Sequence, residues 1–187
     1  MAKLYFRYGT VGSAKTMNLL AVAHNYQQQG KKVILMKPKF DVRFGASNIK
    51  SRSGLEKEAD FLVTDETALD FNDFEGVSCI LIDEAQFLGT EFIDQLRRLS
   101  LQKNVPIICY GLRTDFRTNL FTGSQRLLEV ADAVEEVKTT CYFCNHKAIY
   151  NMKFLNGKPT TQGPAIDLGA EEKYLPSCAN CYAEKLA

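Results

Sequence analysis

The run Gly9-Thr10-Val11-Gly12-Ser13-Ala14-Lys15-Thr16 has the residue types and spacing to hold a nucleoside triphosphate. N–H groups of such a loop, and the helix N-terminus after it, carry partial positive charge. Lys15 adds a full charge, and the Thr16 hydroxyl is a ligand for Mg²⁺. Ala14 stands where the usual pattern has a glycine before the lysine. Alanine suits that place if its φ is negative and its methyl points away from the phosphates.

A second set is Cys79-Ile80-Leu81-Ile82-Asp83-Glu84-Ala85-Gln86-Phe87. Apolar residues ending in Asp-Glu read as a strand that delivers carboxylates to its C-terminal end, the side on which open α/β sheets bind ligands. Asp83 is placed to hold Mg²⁺, which leaves Glu84 free to act as a base. A plainer reading makes the pair a cap on the next helix; the phosphate loop earlier in the chain favours chemistry. Asp41, Arg43 and Arg52 lie on a polar segment that could support the metal and neutralise phosphate charge. A solvated surface loop explains those three as well.

Cys141, Cys144, Cys178 and Cys181 form two Cys-x-x-Cys pairs. Four thiolates suit a closed tetrahedral Zn²⁺ site with no position left for catalytic water. The 33 residues between the pairs exceed the roughly 15–20 of common zinc modules. The metal would therefore close a long loop and hold it against the core. His146 is not needed as a ligand and is expected to be exposed.

These residues need a frame. The chain alternates strand-like and helix-like segments: strands at 3–8, 32–36, 62–63, 79–83, 105–111 and 133–138, and helices at 15–29 and 91–101. Residues 41–54 read as a mobile loop. Continuous apolar strands alternating with helices predict an α/β domain with a mainly parallel sheet. Composition changes near residue 140, giving an α/β nucleotide-binding domain over 1–139 and a zinc-binding domain over 140–187.

The 187 residues carry 23 Lys+Arg against 22 Asp+Glu, so the chain lacks the basic field of a nucleic-acid-polymer binder. No apolar run approaches the ~20 residues of a membrane span, and residues 1–3 leave no room for a signal peptide before the first strand. A cytoplasmic protein with mostly reduced thiols is expected.

Together the motifs resemble the zinc-containing thymidine kinases, the class found in many bacteria and in the animal cytosol. The resemblance covers nearly the whole chain: the 9–16 loop, Asp41-Val42-Arg43, Asp83-Glu84-Ala85-Gln86-Phe87, both cysteine pairs, and Leu168-Gly169-Ala170 leading to Tyr174. The string Tyr110-Gly111-Leu112-Arg113-Thr114-Asp115-Phe116-Arg117, followed by Phe121-Thr122-Gly123-Ser124-Gln125, looks specifically like the bacterial members. The resemblance implies a P-loop, RecA-like sheet with a C-terminal zinc-binding lasso. It implies transfer of the γ-phosphate of ATP to the 5′-hydroxyl of thymidine, with deoxyuridine as a further acceptor, in nucleotide salvage. Lys15 would contact the triphosphate. Thr16, Asp83 and Asp41 would serve Mg²⁺, Glu84 would take the hydroxyl proton, and Arg43 and Arg52 would steady phosphates. Phe87, Leu112, Phe116 and Phe121 would wall the thymine, Tyr174 would pack on the nucleoside, and Leu168, Gly169 and Ala170 would belong to the lasso. Feedback inhibition by thymidine triphosphate and a homotetramer are implied too. Val11 stands where the family commonly has Met, and Ala170 where it has a second Gly. The rivals are a P-loop ATPase or regulatory NTP-binding protein without a nucleoside acceptor, and a zinc-ribbon interaction module. The first leaves the aromatic wall and the zinc-closed loop unexplained, the second leaves Glu84.

Overall fold

The computed structural model describes residues 1–166 and 174–187. Leu168, Gly169 and Ala170 lie outside the described residues. A six-stranded parallel sheet is built from β1 (Leu4–Tyr8), β2 (Val33–Pro38), β5 (Phe61–Val63), β6 (Cys79–Ile82), β7 (Ile107–Gly111) and β8 (Ala133–Glu136), in the order β5-β2-β6-β7-β1-β8. Its central strands are apolar on both faces because both faces are covered. On one side α1 (Lys15–Gln28) lays Leu19, Leu20 and Ala23 against Val33, Leu35, Leu81 and Ile108. On the other, α2 (Thr90–Lys103) packs Phe92, Ile93, Leu96 and Leu99 on Phe6, Met36, Ile80 and Ile107, joined by Leu127 of α3 (Thr122–Val130).

Parallel pairing turns all six C-terminal strand ends the same way. The loops after β1, β2, β6 and β7 therefore meet along one edge of the sheet, with β7 between β1 and β6. No described helix is long and apolar enough to cross a membrane.

Two stretches differ from the sequence expectation. Residues 41–54 are not all loop: β3 (Asn48–Lys50) pairs antiparallel with β4 (Glu56–Glu58). Buried Ile49 and a buried Lys37 that donates to Asn48 O at 2.9 Å tie this ribbon to the sheet. The helix α3 has no counterpart among the helices read from the sequence, 15–29 and 91–101. Gly123 is buried there, where a Cβ would lie 2.5 Å from Ala85 O. Close packing calls for that glycine.

Beyond β8 the chain forms an antiparallel sheet of β9 (Tyr150–Leu155), β10 (Lys158–Thr160) and β11 (Tyr174–Ser177), then α4 (Ala179–Leu186). The backbone N–H of Val11 donates to Asn151 Oδ1 at 2.8 Å, and Asn151 Nδ2 donates to Thr114 O at 3.1 Å. Asn151 of β9, only 4% exposed, thus joins the loops after β1 and β7.

Candidate active site and metal centre

The loop after β1 turns through Gly12 at φ 72° and Ala14 at φ 63°. Ala14 does not meet the condition of negative φ under which alanine suits that place: its backbone is left-handed, the conformation that favours glycine. That turn directs the first helical bond of α1, Asn18 N to Ala14 O at 2.9 Å. Lys15 Nζ folds over the loop, donating to Gly9 O (3.1 Å), Thr10 O (2.7 Å) and Ser13 Oγ (3.3 Å). Burial pushes Lys15 down to about 8, against the pull of the Glu84 and Asp83 charges.

Asp83 follows β6 directly, and its Oδ2 accepts from Thr16 Oγ1 at 3.0 Å. Burial, then the neighbouring Glu84, pushes Asp83 up to about 7. Hard oxygens from Thr16 and Asp83 side by side, with a carboxyl whose ionisation the surroundings resist, suit a divalent cation such as Mg²⁺. Glu84 has a left-handed backbone too, with φ 52°. Its Oε1 lies 2.7 Å from Arg43 Nη2 and its Oε2 accepts from Gln86 Nε2 at 2.6 Å.

Arg43 also pairs with Asp41 at 2.7 Å. Burial works to raise the Asp41 carboxyl, but the Arg43 hydrogen bonds and charge outweigh it and hold Asp41 below the usual carboxylate range. Burial likewise disfavours charge on Arg43, and Glu84 and Asp41 more than offset it.

Two cavities share this cluster. The larger, about 270 Å³, is lined by residues 11–17, Asp41, Arg43, Arg52, Asp83 and Glu84. The smaller, about 80 Å³, is lined by Phe87, Leu112, Phe116, Phe121, Tyr174 and Asn151 among others. Val11, Arg43, Arg52, Glu84 and Leu112 border both. The four residues assigned from the sequence to the thymine wall, and Tyr174, assigned to pack on the nucleoside, thus line one cavity. Phe87 meets Phe121 edge-on at 5.5 Å between centroids, and Phe116 lies 6.1 Å from Tyr174. The sequence reading gave no role to Asn151, Gln86 or Lys37. Lys37 left a signal, a cation inside the apolar run 33–38; Asn151 left none.

Cys141, Cys144, Cys178 and Cys181 bring their sulfurs within 4.8 Å of one another. Cys144 Sγ is 3.6 Å from Cys178 Sγ and 3.7 Å from Cys181 Sγ. Those separations match the roughly 3.8 Å edge of a tetrahedron with 2.3 Å zinc–sulfur bonds, and far exceed the roughly 2.05 Å of a disulfide. Backbone N–H groups of Phe143 and Cys181 point at Cys141 and Cys178, which favours thiolates. The four residues fit a structural zinc ion. His146 is exposed, with Nδ1 3.4 Å from Cys144 Sγ.

Residues 2–182 match the family model described as thymidine kinase. A thymidine kinase of Lactococcus lactis subsp. lactis (strain IL1403) is 41% identical over 184 residues, covering 97% of this chain and 97% of the relative. One from Lactobacillus acidophilus is 40% identical over 193 residues (97% and 96%), and one from Streptococcus pyogenes serotype M3 is 42% identical over 184 residues (97% and 97%). Among solved structures, a Pif1 helicase from Candida albicans overlaps 73% of this chain and 36% of its own at 11% identity and a TM-score of 0.43, too loose a likeness to carry an argument.

Proposed function

Because the chain belongs to the thymidine kinase family, we propose that its two adjoining cavities hold ATP and thymidine and that the reaction takes place where they meet, at Glu84. The chain is a thymidine kinase enzyme: it transfers the γ-phosphoryl group of ATP to the 5′-hydroxyl of thymidine, giving dTMP and ADP, in nucleotide salvage. The observation that carries the site assignment is that Glu84 borders both cavities. A base that takes a proton from the acceptor as it attacks the donor must stand there.

Phosphoryl transfer asks a protein mainly for positioning and charge stabilisation. In the larger cavity, residues 9–16 cradle the triphosphate, with Lys15 turning from the loop carbonyls to the phosphate oxygens. Arg43 and Arg52, on the segment after β2, steady the transferring group. Thr16 and Asp83, with support from Asp41, would hold Mg²⁺, whose chemistry is to neutralise charge developing on the phosphates. In the smaller cavity, Phe87, Leu112, Phe116, Phe121 and Tyr174 hold the thymine ring, and an apolar wall fitted to that ring would reject larger purines. Leu168, Gly169 and Ala170 are assigned to the same nucleoside from the family pattern. Glu84 accepts the 5′-hydroxyl proton.

The division at residues 139 and 140 is supported by the parallel sheet ending with β8 at Glu136 and the antiparallel sheet starting at Tyr150. The four cysteines would hold a structural zinc that closes the loop between the two pairs. Acceptance of deoxyuridine, feedback by thymidine triphosphate and a homotetramer rest on the family resemblance, and cytoplasmic residence on the sequence reading.

The test is transfer from Mg·ATP to thymidine by the purified chain, with deoxycytidine and deoxyguanosine as comparison acceptors. Transfer to thymidine alone is expected; comparable transfer to deoxyguanosine would overturn the assignment of the smaller cavity. Glu84→Gln should bind both substrates and lose about 10²–10⁴-fold in kcat.

A further inference from the structure

We propose that Gln86 is a positioning residue for phosphoryl transfer: a buried amide that grips the Glu84 carboxylate and fixes it relative to the wall of the nucleoside cavity. The proposal rests on Glu84 being the base.

Gln86 lies in the 3-10 turn Ala85–Phe87, directly after the base, and is only 1% exposed. Its two amide ends are used differently. The backbone N–H of Leu112 donates to Gln86 Oε1 at 3.0 Å, and Gln86 Nε2 donates to Glu84 Oε2 at 2.6 Å. A peptide N–H can only donate, so the amide oxygen must face Leu112 and the amide nitrogen must face Glu84. The sheet itself thus sets which end of Gln86 meets the carboxylate.

The residues around Gln86 are cut to fit it. A Cβ at Gly111 would lie 2.5 Å from Gln86 Oε1 and 3.0 Å from its backbone N, and one at Gly123 would lie 3.1 Å from its carbonyl oxygen. Neither glycine has the positive φ that would account for it by backbone geometry. On the far side, Leu112 O accepts from Ser124 Oγ at 2.5 Å. Leu112, which borders both cavities, is therefore held by its N–H and by its carbonyl, and the first of these bonds leads through Gln86 to Glu84.

Glu84 is gripped at both oxygens, by Arg43 on one and Gln86 on the other. The two grips differ in kind. Arg43 is charged, stands on the segment over the donor cavity and is drawn to phosphate. Gln86 is neutral, buried and bonded to the sheet, so it keeps its hold when Arg43 turns to the triphosphate. A carboxylate on a left-handed backbone needs such an anchor to stay in line with the acceptor hydroxyl.

The test is Gln86→Met, similar in size but unable to donate or accept, made in the wild-type and the Glu84→Gln backgrounds. If Gln86 acts through the base, kcat falls by about 10²-fold, the scale of a misplaced reacting group. The KM values for thymidine and ATP then stay within about threefold, and in the Glu84→Gln background the same change costs less than about twofold. Equal losses in both backgrounds, or a loss confined to thymidine KM, would mean that Gln86 only shapes the cavity wall, and would overturn the proposal. Should Gln86→Met fail to fold, Gln86→Asn, an amide one methylene too short to reach both partners, reads the same split. Unchanged turnover by Glu84→Gln alone would remove the base assignment and this proposal with it.

Discussion

Ala14→Gly should raise stability, contrary to the usual sign of an alanine-to-glycine change in a helix interior. Ala14 sits at φ 63°, ψ 26°, immediately before the first residue of α1, and offers no side chain to cap it. A non-glycine residue in the left-handed region costs about 1–2 kcal/mol. Glycine relieves that strain but loosens the unfolded chain by about 0.4–1 kcal/mol. The difference is about 0–1.6 kcal/mol, centred near 0.8, in favour of glycine. For a chain of this length the central value is about 2–3 °C in melting temperature. Thermal unfolding at fixed protein, zinc and salt concentration reads it directly. Thr118→Gly is the control, since Thr118 has φ 68°, is exposed and carries the same strain away from the cleft. Both variants should melt higher, and neither should raise the KM for ATP, because glycine in place of Ala14 keeps the same turn with less bulk at the phosphates. A lower melting point for Ala14→Gly beside a higher one for Thr118→Gly would refute the reasoning. It would show that the methyl of Ala14 makes a contact worth more than the strain.

Three further outcomes follow from the same geometry. Asp83 is held near 7 in the folded chain against about 3.9 when unfolded, so its contribution to stability is fully present below pH ~4 and is lost as pH rises through 7. Without Mg²⁺, Asp83→Asn should therefore melt above wild type at pH 8 and level with it at pH 4; a gap of the same size at both would contradict the assignment. Cys141→Ser should reduce the zinc content measured by atomic absorption and raise the KM for thymidine more than that for ATP; a variant that loses its zinc and keeps its thymidine KM would detach the metal from the nucleoside site. Asn151→Leu leaves the Val11 N–H and the Thr114 carbonyl without their shared partner, at about 1–3 kcal/mol each. It should lower the melting temperature and raise both KM values, and an effect on thymidine alone would contradict the bridging role.

The sheet was legible because its strands are long apolar runs whose ends carry punctuation: Gly9, Pro38, Asp83 and Leu112 all follow a buried strand or close it. Charged and ligating side chains were legible because their types are rare inside such patterns. Neutral hydrogen-bonding residues were not. Asn151 lies 140 residues from Val11 in sequence, and nothing in its neighbours marks it as the side chain that joins two loops. The ribbon of β3 and β4 was read as loop because Gly, Ser and Arg crowd residues 43–54, and one buried Ile49 is too short a signal to outweigh them. Ala14 was not legible either: the sequence shows that a glycine is missing there, but not that the backbone keeps the left-handed turn a glycine would take.

The other left-handed residue shows why such strain is kept. Consecutive residues leaving an extended strand send their side chains to opposite faces, so continuing β6 in extended form would separate the carboxyls of Asp83 and Glu84. Both nevertheless line the donor cavity, and Glu84 borders the nucleoside cavity as well. The turn to φ 52° at Glu84 is what breaks the alternation and brings both carboxyls into one crevice. This arrangement opposes stability twice: the backbone is strained by about 1–2 kcal/mol, and a second carboxylate stands against a buried one. The Arg43 ion pair and the Gln86 bond offset part of that, and a bound cation beside Asp83 would offset more. Strained, like-charged residues persist where the surrounding fold over-determines them, and such places are commonly functional. Here the over-determination is visible in the sheet that presents Asp83, the ion pair that holds Glu84 from the cleft, and the amide that holds it from the core.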